Sequence, residues 1–93
     1  VIDEETYKVY KGKIPIDLSA TEFRLLLFLA KRRGKIFSRE QLLDAVWKEE
    51  GYVEPRTVDV HIRRLRAKIE ADPSDPSCIK TRRGIGYYME AEL

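Results

Sequence analysis

The chain has 93 residues, the size of one domain and too few for two. Hydrophobic residues make up 43% and aromatics 10%, enough for a packed core, so wholesale disorder is excluded. The net charge is only +2, one cysteine excludes an internal disulfide, and no apolar run approaches the ~18 residues of a membrane span.

The first residue is Val1 and no signal peptide opens the chain, which reads as a fragment of a longer cytoplasmic protein. Tyr7, Val9 and Lys11 alternate with Lys8 and Tyr10, and Gly12 marks a turn. Ile14, Ile16 and Leu18 then alternate with Pro15 and Asp17. This period of two predicts an antiparallel hairpin or meander, with Pro15 on an edge because it has no N–H to give a central ladder.

Ser19-Ala20-Thr21-Glu22 is a capping box, with Glu22 three residues after the cap. A strongly apolar helix follows through Phe23, Leu26, Leu27 and Ala30, widened by Leu25, Phe28 and Leu29, so it is expected to be buried on more than one side. Lys31, Arg32 and Arg33 suit the negative end of its dipole, and Gly34 stops it. Ile36-Phe37 reads as a short strand. Ser38 to Gln41 is a second capping box, opening a short helix through Leu42, Leu43, Val46 and Trp47.

Glu49 to Pro55 reads as a loop, and a third helix is predicted from about Arg56 to Glu70. Asp72 to Pro76 is a turn-rich break. Ile79 to Arg82 and Tyr87 to Glu90 read as two strands around Arg83-Gly84-Ile85-Gly86. The fold class is therefore α+β: a winged helix-turn-helix with an N-terminal antiparallel sheet, three helices and a C-terminal hairpin wing.

The positive charge is concentrated. From Arg56 to Arg83 there are eight basic residues against four acidic ones, a surplus of four, so the remainder carries −2. On the third helix Val58, Ile62, Leu65 and Ile69 fall within about 40° of one another and form a narrow core stripe. Opposite them lie Arg56, Thr57, Val60, Arg64 and Ala67, flanked by Arg63 and Lys68, and Asp59 is the one acid in the first half. Arginines among small apolar side chains are what a DNA major groove accepts, since arginine pairs with guanine and small groups touch the thymine methyl. A plain solvated basic face is the rival reading of this helix.

The wing adds separate weight. Arg82 and Arg83 precede Gly84 and Gly86 at a turn, where an arginine can enter a narrow minor groove. His61 has no Cys/His cluster around it, which predicts no metal site, and no nucleophile and base pair can be assembled, which argues against an enzyme. Two other rivals remain: a winged helix that contacts a protein, and one that binds RNA. The outer arginines count against the first, and the lack of stacking aromatics counts against the second.

Leu18 to Phe23, Ser38 to Leu43, Arg56 to Arg66 and Thr81 to Tyr87 together resemble the OmpR/PhoB family of response regulator effector domains. The resemblance covers essentially the whole chain. It implies a four-stranded N-terminal sheet, three helices and a hairpin, with a phosphorylatable receiver domain upstream. It also implies no cofactor, and a partner in double-stranded DNA bound as tandem direct repeats by two copies head to tail.

By position, the resemblance makes Arg64 the base reader, with Thr57 and Val60 beside it. Arg56, His61, Arg63, Arg66, Trp47 and Tyr87 are implied backbone contacts, although Trp47 reads equally well as part of the core. Arg83 is the implied wing arginine, with Arg82 standing where many members have an apolar residue. The loop from Lys48 to Pro55, with Glu49, Glu50 and Tyr52, corresponds to the segment that touches RNA polymerase in some members.

Overall fold

The computed structural model describes residues 1–92. Three short strands come first: β1 (Ile2–Asp3), β2 (Lys8–Lys11) and β3 (Ile14–Ile16). They form an antiparallel sheet in the order β1-β2-β3, with Val9 opposite both Ile2 and Ile16. The implied sheet had four strands, and the described residues form three. The strand also starts later than the alternation predicted. Tyr7 adopts φ 57 and turns the chain, and its ring stacks on Phe23 at 4.8 Å, so pairing begins at Lys8. Pro15 lies on the edge strand β3, as its missing N–H requires. Ile14 alternates in step with Ile16, but it pairs with Lys11 at the turn end of the hairpin and is exposed.

Helix α1 (Ala20–Lys31) begins with the predicted capping box: Ser19 Oγ accepts from the Glu22 amide at 3.1 Å, and Glu22 Oε1 accepts from the Ser19 amide at 2.9 Å. Phe23, Leu25, Leu26 and Leu29 are buried, so the wide apolar face is used on more than one side. Helix α2 (Arg39–Val46) opens on the second box, Ser38 with Gln41. Helix α3 (Arg56–Ile69) starts differently. Pro55 occupies its cap position without a side-chain bond, and its fixed φ, here −55°, already suits a helix. Val58, Ile62, Leu65 and Ile69 are all buried, which is the predicted stripe.

The C-terminal hairpin pairs β4 (Ile79–Arg82) with β5 (Gly86–Met89), and Gly84 at φ 78 supplies the left-handed residue of its turn. Ile36-Phe37 does not form a strand. Phe37 alone bridges to Tyr87, exchanging two backbone hydrogen bonds of 2.9 Å. That bridge ties the α1–α2 connection to the root of the hairpin. No helix of the described residues is long and apolar enough to cross a membrane.

Two buried carboxylates lock the frame. Glu22 pairs with Lys68 of α3 at 2.7 Å while still capping α1. Glu70, just past α3, is 7% exposed and accepts from the backbone amides of Ser77 at 3.0 Å, Cys78 at 3.1 Å and Ile79 at 2.8 Å. Burial pushes the Glu70 carboxyl up, but these amide donors outweigh it and hold it below its ordinary value. Burial likewise raises Glu22, and Lys68 and Ser19 bring it below the usual range.

A folded value below the unfolded one means that each carboxylate stabilises the fold above the unfolded value, about 4.3, and loses that contribution as pH falls through the folded value. The urea midpoint should therefore drop on acidification below roughly pH 4.3. Glu70→Gln should lower the midpoint at pH 7 and flatten the acid limb. An acid limb as steep in Glu70→Gln as in the parent chain would mean that Glu70 does not titrate with folding.

Candidate nucleic-acid interface

The core stripe of α3 fixes which of its residues face outward. Arg56, Arg63, Arg64 and Ala67 are exposed, and Thr57 and Val60 are half-buried beside them. Arg56 pairs with Glu54 at 2.8 Å. Arg63 and Arg64 have no carboxylate partner among the described residues, and neither have Arg82 and Arg83 on the exposed wing. Lys68, read as a flank of the outer face, is instead committed to Glu22.

One edge of α3 is stitched to the wing. Arg66 donates from Nε to the Ile79 carbonyl at 3.1 Å and from Nη2 to Thr81 Oγ1 at 2.8 Å, and its guanidinium lies 5.6 Å from the Tyr87 ring. The Tyr87 hydroxyl donates to Asp59 Oδ1 at 2.5 Å. Burial, then the Asp59 carboxylate, push the Tyr87 phenol up to about 12. Asp59 Oδ2 also accepts from Arg39 Nη1 at 3.2 Å, which brings in the first residue of α2. Arg39, Asp59, Thr81 and Tyr87 line a cleft of about 410 Å³ between the start of α2, α3 and the wing, with Ser38, Glu40, Arg82 and Ile85 also on its walls.

The opposite edge of α3 meets α2. His61 donates from Nδ1 to the Thr57 carbonyl at 2.9 Å and meets Trp47 edge-on at 5.1 Å. Trp47 is 4% exposed and belongs to the core cluster, the second of its two expected roles. Glu49, Glu50 and Tyr52 are exposed in the loop that follows, Tyr52 at 88%.

The structure thus brings Arg66 and Tyr87 together at the wing, leaves Arg63 and Arg64 on the outer face, and sets Trp47 inside. Sequence reasoning missed the roles of Arg39 and Glu70, and it read Gly86 only as one of two glycines that let the wing turn tightly. It noted Asp59 only as an isolated acid, and that isolation on a basic helix was the available signal. A Cβ on Gly86 would sit 1.9 Å from the Phe37 carbonyl oxygen, so glycine there is a packing requirement of the wing root.

Three helices, a sheet before them and a hairpin after them, with uncompensated arginines on both the third helix and the hairpin, define a winged helix-turn-helix. The family described as "Transcriptional regulatory protein, C terminal" matches residues 13–89, and the chain belongs to it, within the OmpR/PhoB response regulator DNA-binding domains.

Among similar solved structures is the response regulator DrrB of Thermotoga maritima, an OmpR/PhoB homolog. It is 43% identical with a TM-score of 0.90, over 97% of this chain and 41% of that one. The chain therefore spans about two-fifths of the length of that relative. The RstA DNA-binding domain of Klebsiella pneumoniae, solved in complex with the RstA box, is 34% identical with a TM-score of 0.85, over 96% of this chain and 88% of that one. The DNA-binding domain of Bacillus subtilis CssR is 34% identical with a TM-score of 0.81, over 96% of this chain and 97% of that one.

Proposed function

We propose that this domain binds double-stranded DNA sequence-specifically, as the output half of a cytoplasmic two-component response regulator with a receiver domain upstream. In this reading α3 enters the major groove and the wing reaches the adjacent minor groove. The observation that carries it is the set of four exposed arginines without carboxylate partners, Arg63 and Arg64 on α3 and Arg82 and Arg83 on the wing. The Arg66–Thr81 and Asp59–Tyr87 contacts hold their two supports in fixed relation. The RstA complex with its DNA box supports the same reading.

Arg64 reads a base with Thr57 and Val60 beside it, and Arg56, Arg63, His61 and the wing arginines hold the backbone. Two copies sit head to tail on direct repeats. The exposed Glu49, Glu50 and Tyr52 form a contact for RNA polymerase.

The test is a titration with a duplex selected from random sequence and with a scrambled one. Affinity should fall with salt at a log–log slope of about −0.9 per phosphate neutralised, and a slope near zero would remove the reading. Arg64→Ala should cost about 1–3 kcal/mol on the selected duplex and relax one base position, whereas Arg63→Ala should weaken both duplexes alike. Equal losses on both duplexes for Arg64→Ala would make Arg64 a phosphate contact only.

A further inference from the structure

Asp59 is the only carboxylate on α3, and it lies on the edge of the helix that faces the cleft beside the wing. A bare carboxylate there repels a polyanion, but both oxygens of this one are engaged. Oδ1 takes the single proton of the Tyr87 hydroxyl, so that hydroxyl has none left to give a phosphate oxygen. Oδ2 takes the Arg39 guanidinium. Both side chains of this pair remain part-exposed, 46% for Arg39 and 40% for Asp59, so the ion pair is within reach of an incoming phosphate.

Arg39 is also poorly placed as a plain helix residue. It is the first residue of α2, where the dipole disfavours a cation. Asp59 supplies the compensating charge, and a phosphate on the cleft would supply it equally well.

We propose that Asp59 is a specificity-determining residue: it holds Arg39 off the DNA backbone on mismatched sequences and yields it only where α3 seats fully in the groove. The inference rests on the DNA-binding reading above. A loosely bound duplex offers Arg39 nothing better than Asp59, and releasing Arg39 there would strand a carboxylate against phosphates. A fully seated helix brings a phosphate close enough to compete, so the contact is made selectively.

Asp59→Asn tests this, because it keeps an oxygen acceptor for Tyr87 and removes the charge that holds Arg39. On a scrambled duplex the variant should bind about fivefold more tightly at low salt, with a slope steeper by about 0.9, the value of one added phosphate contact. On a duplex selected by the parent chain the gain should be less than half of that, so the specificity ratio falls. Arg39→Gln should weaken the selected duplex more than the scrambled one, and in its background Asp59→Asn should no longer steepen the slope.

Three results would overturn the proposal. Scrambled binding of Asp59→Asn could match the parent in affinity and slope. Both duplexes could weaken equally together with a fall in Tm, which would mean a merely structural role. The steepening could persist in Arg39→Gln, which would trace it to the charge of Asp59 alone. A parent chain whose binding ignores salt would instead sink the DNA-binding reading itself.

Discussion

Leu65→Ala should lower the unfolding free energy by about 2–5 kcal/mol, a large part of the ~5–15 kcal/mol that holds a domain of this kind folded. Leu65 is completely buried on α3, between Ile62 and Ile69 along the stripe. That stripe shares one core cluster with Leu25, Leu26 and Leu29 of α1 and with Leu42 and Val46 of α2. Truncation removes the transfer free energy of the lost methyl groups and leaves a cavity that three converging helices cannot readily close. Urea unfolding followed by circular dichroism measures it, and a change within error would mean that this face is not the buried one. The arginines lie on the other side of the helix, so the variant that remains folded should keep its preference for the selected duplex.

Gly86→Ala should cost at least about 3 kcal/mol, the upper end of the usual overpacking range. Its new Cβ would meet the Phe37 carbonyl oxygen at 1.9 Å, the Phe37 carbonyl carbon at 2.6 Å and Ser38 Cα at 2.9 Å. All three are backbone atoms, so no side chain can rotate away. Relief requires parting the two hydrogen bonds between Phe37 and Tyr87. The expected result is a lowered Tm and weaker duplex binding, because Tyr87, Arg82 and Arg83 move with the hairpin. Gly84→Ala is the comparison: its site is open, and only the left-handed φ of 78 penalises it, by roughly 1–2 kcal/mol. If Gly86→Ala proved as mild as Gly84→Ala, the close approach would not be a constraint.

What the sequence revealed was mostly local. Both capping boxes join groups three residues apart, so reading the letters was enough. The α3 stripe was legible for the same reason, since helical period alone places Val58, Ile62, Leu65 and Ile69 together. The missed features join distant positions. Asp59 meets Tyr87 across 28 residues and Arg39 across 20, and Lys68 meets Glu22 across 46. Nothing in the spacing of those letters announces such pairs, because packing alone brings them together. Lys68 lay beside the outer face on the helical wheel, yet a buried carboxylate on α1 claimed it. Tyr7 fitted the alternation of a strand, but stacking on Phe23 turned it out of the ladder.

The Glu70 carboxylate has a consequence for how the chain tolerates change in length. One side chain at the end of α3 grips the amides that start β4, so the separation of helix and wing is set by a clasp rather than by the residues strung between them. Ala71 to Asp75 are all exposed and bond mainly among themselves, through Asp72 and Ser74. Extending such a loop costs little, about 0.6 kcal/mol for each doubling of its length. The segment before Pro76 is therefore the place where this domain can accept inserted residues, a tag or a label without altering the angle at which the wing meets α3.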